Sequence, residues 1–278
     1  MSVSGGDQAD LRGVRVLVTG ATSGIGRAMA EALVGARAAV AITGRDLART
    51  QEVAAGMTGG PGRAVGLAMD VRDENQVARG VGEALERLGG LDVLVNNAGL
   101  GMRSVNPQFL TDPQPFWELS HRGFTDVIAT NLTGYFLVAK AAVPHLLEAG
   151  RGRVVNITMN HSTMRRRGFV PYGPSRAGTE SLSRIMEAEL AGTGVIVNML
   201  LPGGPTVTGM LPEELTDDVR RLLLPASVMA APILWLCSAA AEGVTGERIV
   251  AREFDAWVAE WERRTGSPAG PPTASGGG

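Results

Sequence analysis

The stretch "TGATSGIG", residues 19–26, decides how this chain is read. Its glycines at 20, 24 and 26 let a backbone turn tightly and approach a phosphate, whose charge is favoured by the free N–H groups of a helix that starts there. A glycine-rich loop alone is weak evidence, so its setting matters. Upstream, "VRVLVTG" (14–20) is an apolar, β-branched run; downstream, "IGRAMAEALVG" (25–35) carries apolar residues at helical spacing. "AAVAIT" (38–43) then closes a βαβ unit around the loop.

The same alternation continues outward. "AVGLAMD" (64–70), "LDVLVNN" (91–97), "GRVVNIT" (152–158) and "VIVNMLLP" (195–202) read as strands buried on both faces, with helical patterns such as "QVARGVGEALERL" (76–88) between them. Strand and helix in repeated alternation predict an α/β fold: a doubly wound parallel sheet covered by helices, in a single domain. Ligands of such sheets sit beyond the C-terminal strand ends, so the segments after each strand are the ones to inspect.

The chain has 278 residues, enough for one substantial core. The reading is a flexible N-terminus at 1–10, a folded domain at 11–264, and a mobile tail from 265 to 278, where "TGSPAGPPTASGGG" has nothing large to bury. Net charge is −2 and basic residues are dispersed apart from Arg165, Arg166 and Arg167, which argues against a nucleic-acid partner. Only Lys140 among the 26 basic side chains is a lysine. Cys237, the single cysteine, lies in the apolar run "ILWLCSA" and reads as a packed small hydrophobe. No membrane span and no signal segment are read from the sequence, and the expected location is cytoplasmic. His121, His145 and His161 share no metal-like spacing, so no metal is expected.

The second strand ends in "AITGRD" (41–46). An NAD site usually places a carboxylate there for the ribose 2′-hydroxyl; Gly44 and Arg45 stand here instead, and an arginine suits a 2′-phosphate. NADP(H) is therefore preferred over NAD(H). The alternative is a solvated Arg45 with Asp46 on the ribose.

Together with "NNAG" (96–99), "NLTG" (131–134), Tyr-x-x-x-Arg at 172–176 and "PGG" (202–204), the loop makes residues 12 to 250 resemble the short-chain dehydrogenase/reductase family, of Rossmann type. The resemblance implies that Gly20, Ser23, Gly24, Ile25 and Gly26 hold a pyrophosphate and that Asp70 and Val71 contact adenine. It implies further that Asn97, Ala98 and Gly99 pack along the nicotinamide ribose, and that Pro202 and Gly203 flank the nicotinamide. Asn131 matches an asparagine that anchors a water chain, and Tyr172 matches the proton donor or acceptor at the substrate oxygen. Members commonly assemble as dimers or tetramers, so a homodimer or homotetramer is expected.

The chemistry can be stated without the family. Hydride arriving at a carbonyl carbon leaves an alkoxide, which needs a proton donor in reach and dipoles to hold the developing charge. A phenol serves if an adjacent cation favours its ionised form. In the family a lysine four residues on supplies that charge and grips the ribose; Arg176 stands there in this chain. It keeps the charge, but guanidinium is planar, larger and never deprotonated, so ribose geometry should change and proton relay through Asn131 should weaken. The family's serine, thirteen residues before the tyrosine, is replaced by Met159, which cannot donate a hydrogen bond. Thr158 is the expected stand-in donor, with Ser162 and His161 as further candidates.

Arg165 to Arg167 are either a solvated cluster or receivers of an anionic substrate group. The connection from 100 to 126, with three prolines, Phe109, Phe116 and Trp117, reads as an apolar lid or a subunit contact. Phe254, Trp257 and Trp261 read as packing. The leading expectation is an NADP(H)-dependent oxidoreductase interconverting a carbonyl and a secondary alcohol on a small or medium-sized metabolite. The alternatives are a non-redox isomerase, dehydratase or cyclase, or a non-catalytic cofactor-binding subunit.

Overall fold

The computed structural model describes residues 9–57, 60–211, 215 and 217–266. Most of the expected flexible N-terminus and tail therefore lies outside the described residues. At the two edges the expectation is corrected: Ala9 packs on the core, Asp10 pairs with Arg12 and Arg37, and Thr265 closes the last helix.

The strands are β1 (Arg15–Val18), β2 (Ala39–Gly44), β3 (Arg63–Ala68), β4 (Val93–Asn96), β5 (Gly152–Ile157), β6 (Val195–Leu201) and β7 (Arg248–Val250). All pair in parallel in the order β3-β2-β1-β4-β5-β6-β7. This is the doubly wound sheet that the alternating pattern predicts. Several strands stop short of the apolar runs, β1 at Val18 and β4 at Asn96, because the residues that follow leave the ladder to form the ligand loops. The three-residue β7 has no sequence signal strong enough to be read.

The helices are α1 (Gly24–Gly35), α2 (Leu47–Met57), α3 (Glu74–Leu88), α4 (His121–Ile128), α5 (Gly134–Glu148), α6 (His161–Met164), α7 (Tyr172–Glu189), α8 (Asp217–Arg221), α9 (Ala230–Cys237) and α10 (Phe254–Thr265). Side chains alternate across a strand, so each strand feeds two cores. Val16, Val18, Val40, Ile42, Val93 and Val95 meet Met29 and Leu33 of α1, Val53 of α2, and Ile233 and Leu236 of α9 on one face. Leu17, Ala41, Leu94 and Val154 meet Val77 and Val81 of α3, Val138 and Leu146 of α5, and Met186 of α7 on the other.

α4 and α5 form one helical run, His121–Glu148, joined by a π-helical turn at Ala129–Thr133. By length and composition this run could cross a membrane. Its apolar side chains Val138, Ala139, Ala142 and Leu146 are instead spent on the sheet, which is the signature of a core helix. The C-terminal aromatics pack within the chain: Trp235 sets its ring edge-on to Phe254, Trp257 and Trp261 at centroid distances of 5.9, 5.3 and 5.8 Å. Cys237 is buried beside them, and burial pushes its thiol up to about 12, so it is inert.

One ion pair ties the N-terminal edge of the sheet. Asp92, just before β4, accepts from the Arg15 backbone N–H (2.9 Å), Nε (2.8 Å) and Nη2 (2.9 Å). Burial raises the Asp92 carboxyl, but the hydrogen bonds and charge of Arg15 outweigh it and hold the group below its ordinary 3.8. A carboxyl depressed in the folded state contributes stability that is complete above its unfolded value and lost as pH falls through the folded one. Asp92→Asn should therefore lower stability at neutral pH by about 1.5–3 kcal/mol, the worth of hydrogen bonds to a charged group, and flatten the loss of stability below pH ~4. Denaturant midpoints across an acid series check both; an unchanged acid limb refutes the assignment.

Candidate active site

The strand order reverses between β1 and β4, and there the loops after both strands part to open a crevice. A cavity of about 950 Å³ fills it, running from the glycine loop to the apolar pocket beneath the 100–110 segment. At one end Gly20 and Gly24 adopt φ of +63° and +56°, which L side chains rarely adopt. A Cβ at Gly20 would lie 2.7 Å from the Ala98 Cα, and one at Gly26 would lie 2.3 Å from the Asn97 Nδ2. Ser23 precedes α1 without a side-chain cap, so the first N–H groups of that helix face the cavity unclaimed by it. The donor set and the close backbone approach fit a dinucleotide pyrophosphate.

Asn97 does more than line a ribose. Its Nδ2 donates to the carbonyls of Thr19 (2.8 Å) and Gly20 (3.0 Å), and Thr19 Oγ1 accepts from the Asn97 and Ala98 backbone N–H groups. The asparagine thus bolts the loop after β4 to the glycine loop, joining the two into one wall. Ala98, Gly99, Pro202 and Gly203 complete that wall along the cavity.

At the far ribose end Arg45 is exposed, lines the cavity, and shares a smaller recess with Thr22, Asp46 and Arg49. Asp46 accepts the Arg49 backbone N–H at 3.1 Å and so acts as a helix cap for α2. Asp70 and Val71 line the cavity as expected, but Asp70 is held by Arg72 at 2.6 Å, and that contact keeps its carboxyl below the usual range against the opposing effect of burial. Arg72, which the sequence reading did not single out, therefore belongs to this end of the cavity.

The reacting end is organised by α7. Tyr172, Arg176 and Glu180 recur every four residues and share a face. Tyr172 is half-buried and lines the cavity. Arg176 is only 3% exposed. Its Nη1 donates to the Tyr135 hydroxyl (2.8 Å) and the Ile157 carbonyl (2.9 Å), and its Cζ lies 5.4 Å from the ring centres of both Tyr135 and Tyr172. Burial works against its charge, yet the two phenols outweigh it and the net effect raises its pKa. Burial in turn raises the Tyr135 phenol, against the pull of Arg176. Gly99 must be a glycine to admit this group: a Cβ there would sit 2.4 Å from the Arg176 Nη2.

Asn131 stands on the π-helical turn, a distortion that exposes backbone groups at functional positions. Its Nδ2 donates to the Leu100 carbonyl (3.0 Å) and Ser175 Oγ (3.0 Å), and its Oδ1 accepts the Leu100 N–H (2.7 Å). The Thr179 hydroxyl lies 2.9 Å from its carbonyl oxygen. Asn131 thereby locks the loop after β4 to α7.

The expectation for Thr158 is corrected. Its hydroxyl donates to Glu180 at 2.9 Å, so the proton it was expected to offer a substrate is given to a carboxylate. The same carboxylate receives Arg248 Nε (2.8 Å) and meets His161 Nε2 (2.8 Å), and these partners hold it below the usual range although burial raises it. His161 and Ser162 are exposed and do not line the cavity, while Asn160 and Thr163 do. Met159 joins Met102, Phe109 and Phe169 in a separate apolar cluster, so the 100–110 segment does roof the pocket. Of the three arginines only Arg166 lines it, with its Cζ 5.2 Å over the Phe169 ring; Phe116 and Trp117 remain exposed outside. Among the described residues no cluster of His, Cys, Asp and Glu could hold a metal.

The model of the short chain dehydrogenases matches residues 14–218. The chain belongs to that family. A 3-oxoacyl-[acyl-carrier-protein] reductase of Aquifex aeolicus is 33% identical over 86% of this chain and 96% of its own. The cis-4-hydroxycyclohexanecarboxylate dehydrogenase of Sinomonas cyclohexanicum is 33% identical over 83% of this chain and 91% of its own. Among solved structures, the 3-ketoacyl-(acyl-carrier-protein) reductase of Brucella melitensis, complexed with NADH, superposes with a TM-score of 0.76 at 28% identity, covering 86% of this chain and 97% of that one. The chain is thus an oxidoreductase of the short-chain dehydrogenase type with a nicotinamide cradle.

Tyr135, Asn160, Thr163 and Arg72 were missed by reading the sequence. Only Tyr135 carried a signal, sitting one helical turn after Asn131. Because the Gly26 position has no room for a Cβ, Gly26→Ala should weaken dinucleotide binding at least about tenfold, roughly 1.4 kcal/mol, while circular dichroism stays native. Undiminished affinity by calorimetry would place the pyrophosphate elsewhere.

Proposed function

We propose that this protein is an NADP(H)-dependent oxidoreductase interconverting a carbonyl and a secondary alcohol on a small, mostly apolar metabolite that carries an anionic group. One observation carries the reading: the glycine cradle and Tyr172, with the buried Arg176 cation behind it, line the same cavity. The bound nicotinamide supplies or accepts the hydride. Tyr172 holds and moves the proton at the substrate oxygen, with the buried Arg176 guanidinium 5.4 Å from the centre of its ring. Since guanidinium does not give up a proton, the phenol recovers its proton from solvent through the cavity mouth.

Support for NADP(H) comes from Arg45, which faces the ribose end where Asp46 is occupied as a cap. Support for an anionic, apolar substrate comes from the lining. Met102, Phe109, Met159 and Phe169 form the pocket wall, Arg103 and Arg166 border it, and Asp70 at the adenine end is the one carboxylate among the described lining residues.

NADPH should be oxidised in preference to NADH with a panel of cyclic and acyclic ketones, and Arg45→Asp should reverse that preference. Tyr172→Phe should cost ~10²–10⁴ in kcat while leaving cofactor affinity intact. Substrate conversion without any net change in nicotinamide absorbance would replace this reading by an isomerase or dehydratase. Arg166→Ala should raise KM for 4-oxocyclohexanecarboxylate about fivefold, roughly 1 kcal/mol, and leave cyclohexanone unaffected. Equal effects on both ketones would remove the anionic group from the substrate description.

A further inference from the structure

We infer that Asn160 supplies the hydrogen bond to the substrate oxygen that Met159 cannot give, which makes it a catalytic residue alongside Tyr172. This rests on the carbonyl–alcohol reading above. A developing alkoxide needs a second oriented donor beside the phenol, and side chains just beyond the C-terminal end of β5 are placed to provide it.

Elimination along that segment is specific. The Thr158 hydroxyl is committed to Glu180. Met159 has no donor and is packed among Met102, Phe109 and Phe169. His161 is turned to Glu180, and neither it nor Ser162 lines the cavity. Asn160 does line it, half-buried, and its carboxamide has no hydrogen-bond partner among the described residues. It also stands before α6, where an asparagine side chain ordinarily caps the helix, yet here it makes no cap. An amide that declines its usual local partner and faces a cavity is available to a ligand.

The surroundings explain how a loop residue can be held well enough for catalysis. Glu180 grips the residues on both sides of Asn160 through Thr158 (2.9 Å) and His161 (2.8 Å), and Arg248, itself on Glu180, donates to the Met159 carbonyl at 2.6 Å. The backbone at 158–161 is therefore braced while one side chain remains unspent, which is the arrangement a preorganised donor requires. In reduction the hydride goes to the carbonyl carbon, the C=O π pair moves to oxygen, Tyr172 gives that oxygen its proton, and an Asn160 N–H holds the oxygen without changing protonation. Beside Arg166 and the Thr158 already committed to Glu180, the polar lining residue left in this segment is Thr163, which has one rotatable donor against the two N–H groups of the amide.

The test uses the full chain, NADPH and cyclohexanone. Asn160→Asp keeps the shape and removes the donors; it and Asn160→Ala should each lose ~10²–10³ in kcat, with KM and the calorimetric NADPH affinity little changed. Wild-type rates in both variants while Tyr172→Phe is inactive would overturn the assignment and leave the oxidoreductase reading standing. A loss in Thr163→Val without one in Asn160→Ala would also overturn it. A wild-type protein that oxidises no NADPH would sink the oxidoreductase reading itself. The Asn160 side-chain amide signal in a ¹⁵N spectrum then decides independently: it should shift when cyclohexanol is added to the NADP⁺ complex, and a stationary signal refutes contact.

Discussion

A guanidinium shut away from water between two phenols is the constraint around which this site is arranged. Removing an ion from water is expensive unless donors and charge are matched nearby. Arg176 meets that demand through the Tyr135 hydroxyl, the Ile157 carbonyl and the faces of two aromatic rings, since guanidinium stacks on rings and is more weakly hydrated than ammonium. Its Nε finds no partner, so the match is incomplete. The bareness of Gly99 and the carbonyl at the end of β5 are the space and the acceptor that such a cation needs.

Fixing that cation fixes its neighbours. Asn131 ties the loop after β4 to α7, Asn97 ties the same loop to the glycine cradle, and Glu180 ties α7 to the end of β5 and to β7. These polar links converge on the strand ends, so the two halves of the cavity are parts of one scaffold. Of the two departures, Met159 extends an apolar wall and Arg176 takes a hydrogen-bonded seat on Tyr135.

Which parts were legible in the sequence follows from how local their causes are. The sheet and its helices follow from β-branched runs and helical spacing, and the cradle from three glycines after a strand, because these are short-range consequences of sterics and periodicity. The role of Thr158 was misread because a side chain's partner is not a local property. Glu180 is 22 residues from Thr158 along the chain, Thr179 is 48 from Asn131, and Arg248 is 68 from Glu180.

By itself, then, the amino-acid order determined a doubly wound sheet with a dinucleotide loop at its first turn, a phenol and a cation one helical turn apart, and the absence of a donor at position 159. Only the tertiary structure decided which polar groups are already spent on one another and which still face the cavity. The physical reason is that each donor proton serves one strong acceptor at a time, and the acceptor within reach is set by packing between distant segments.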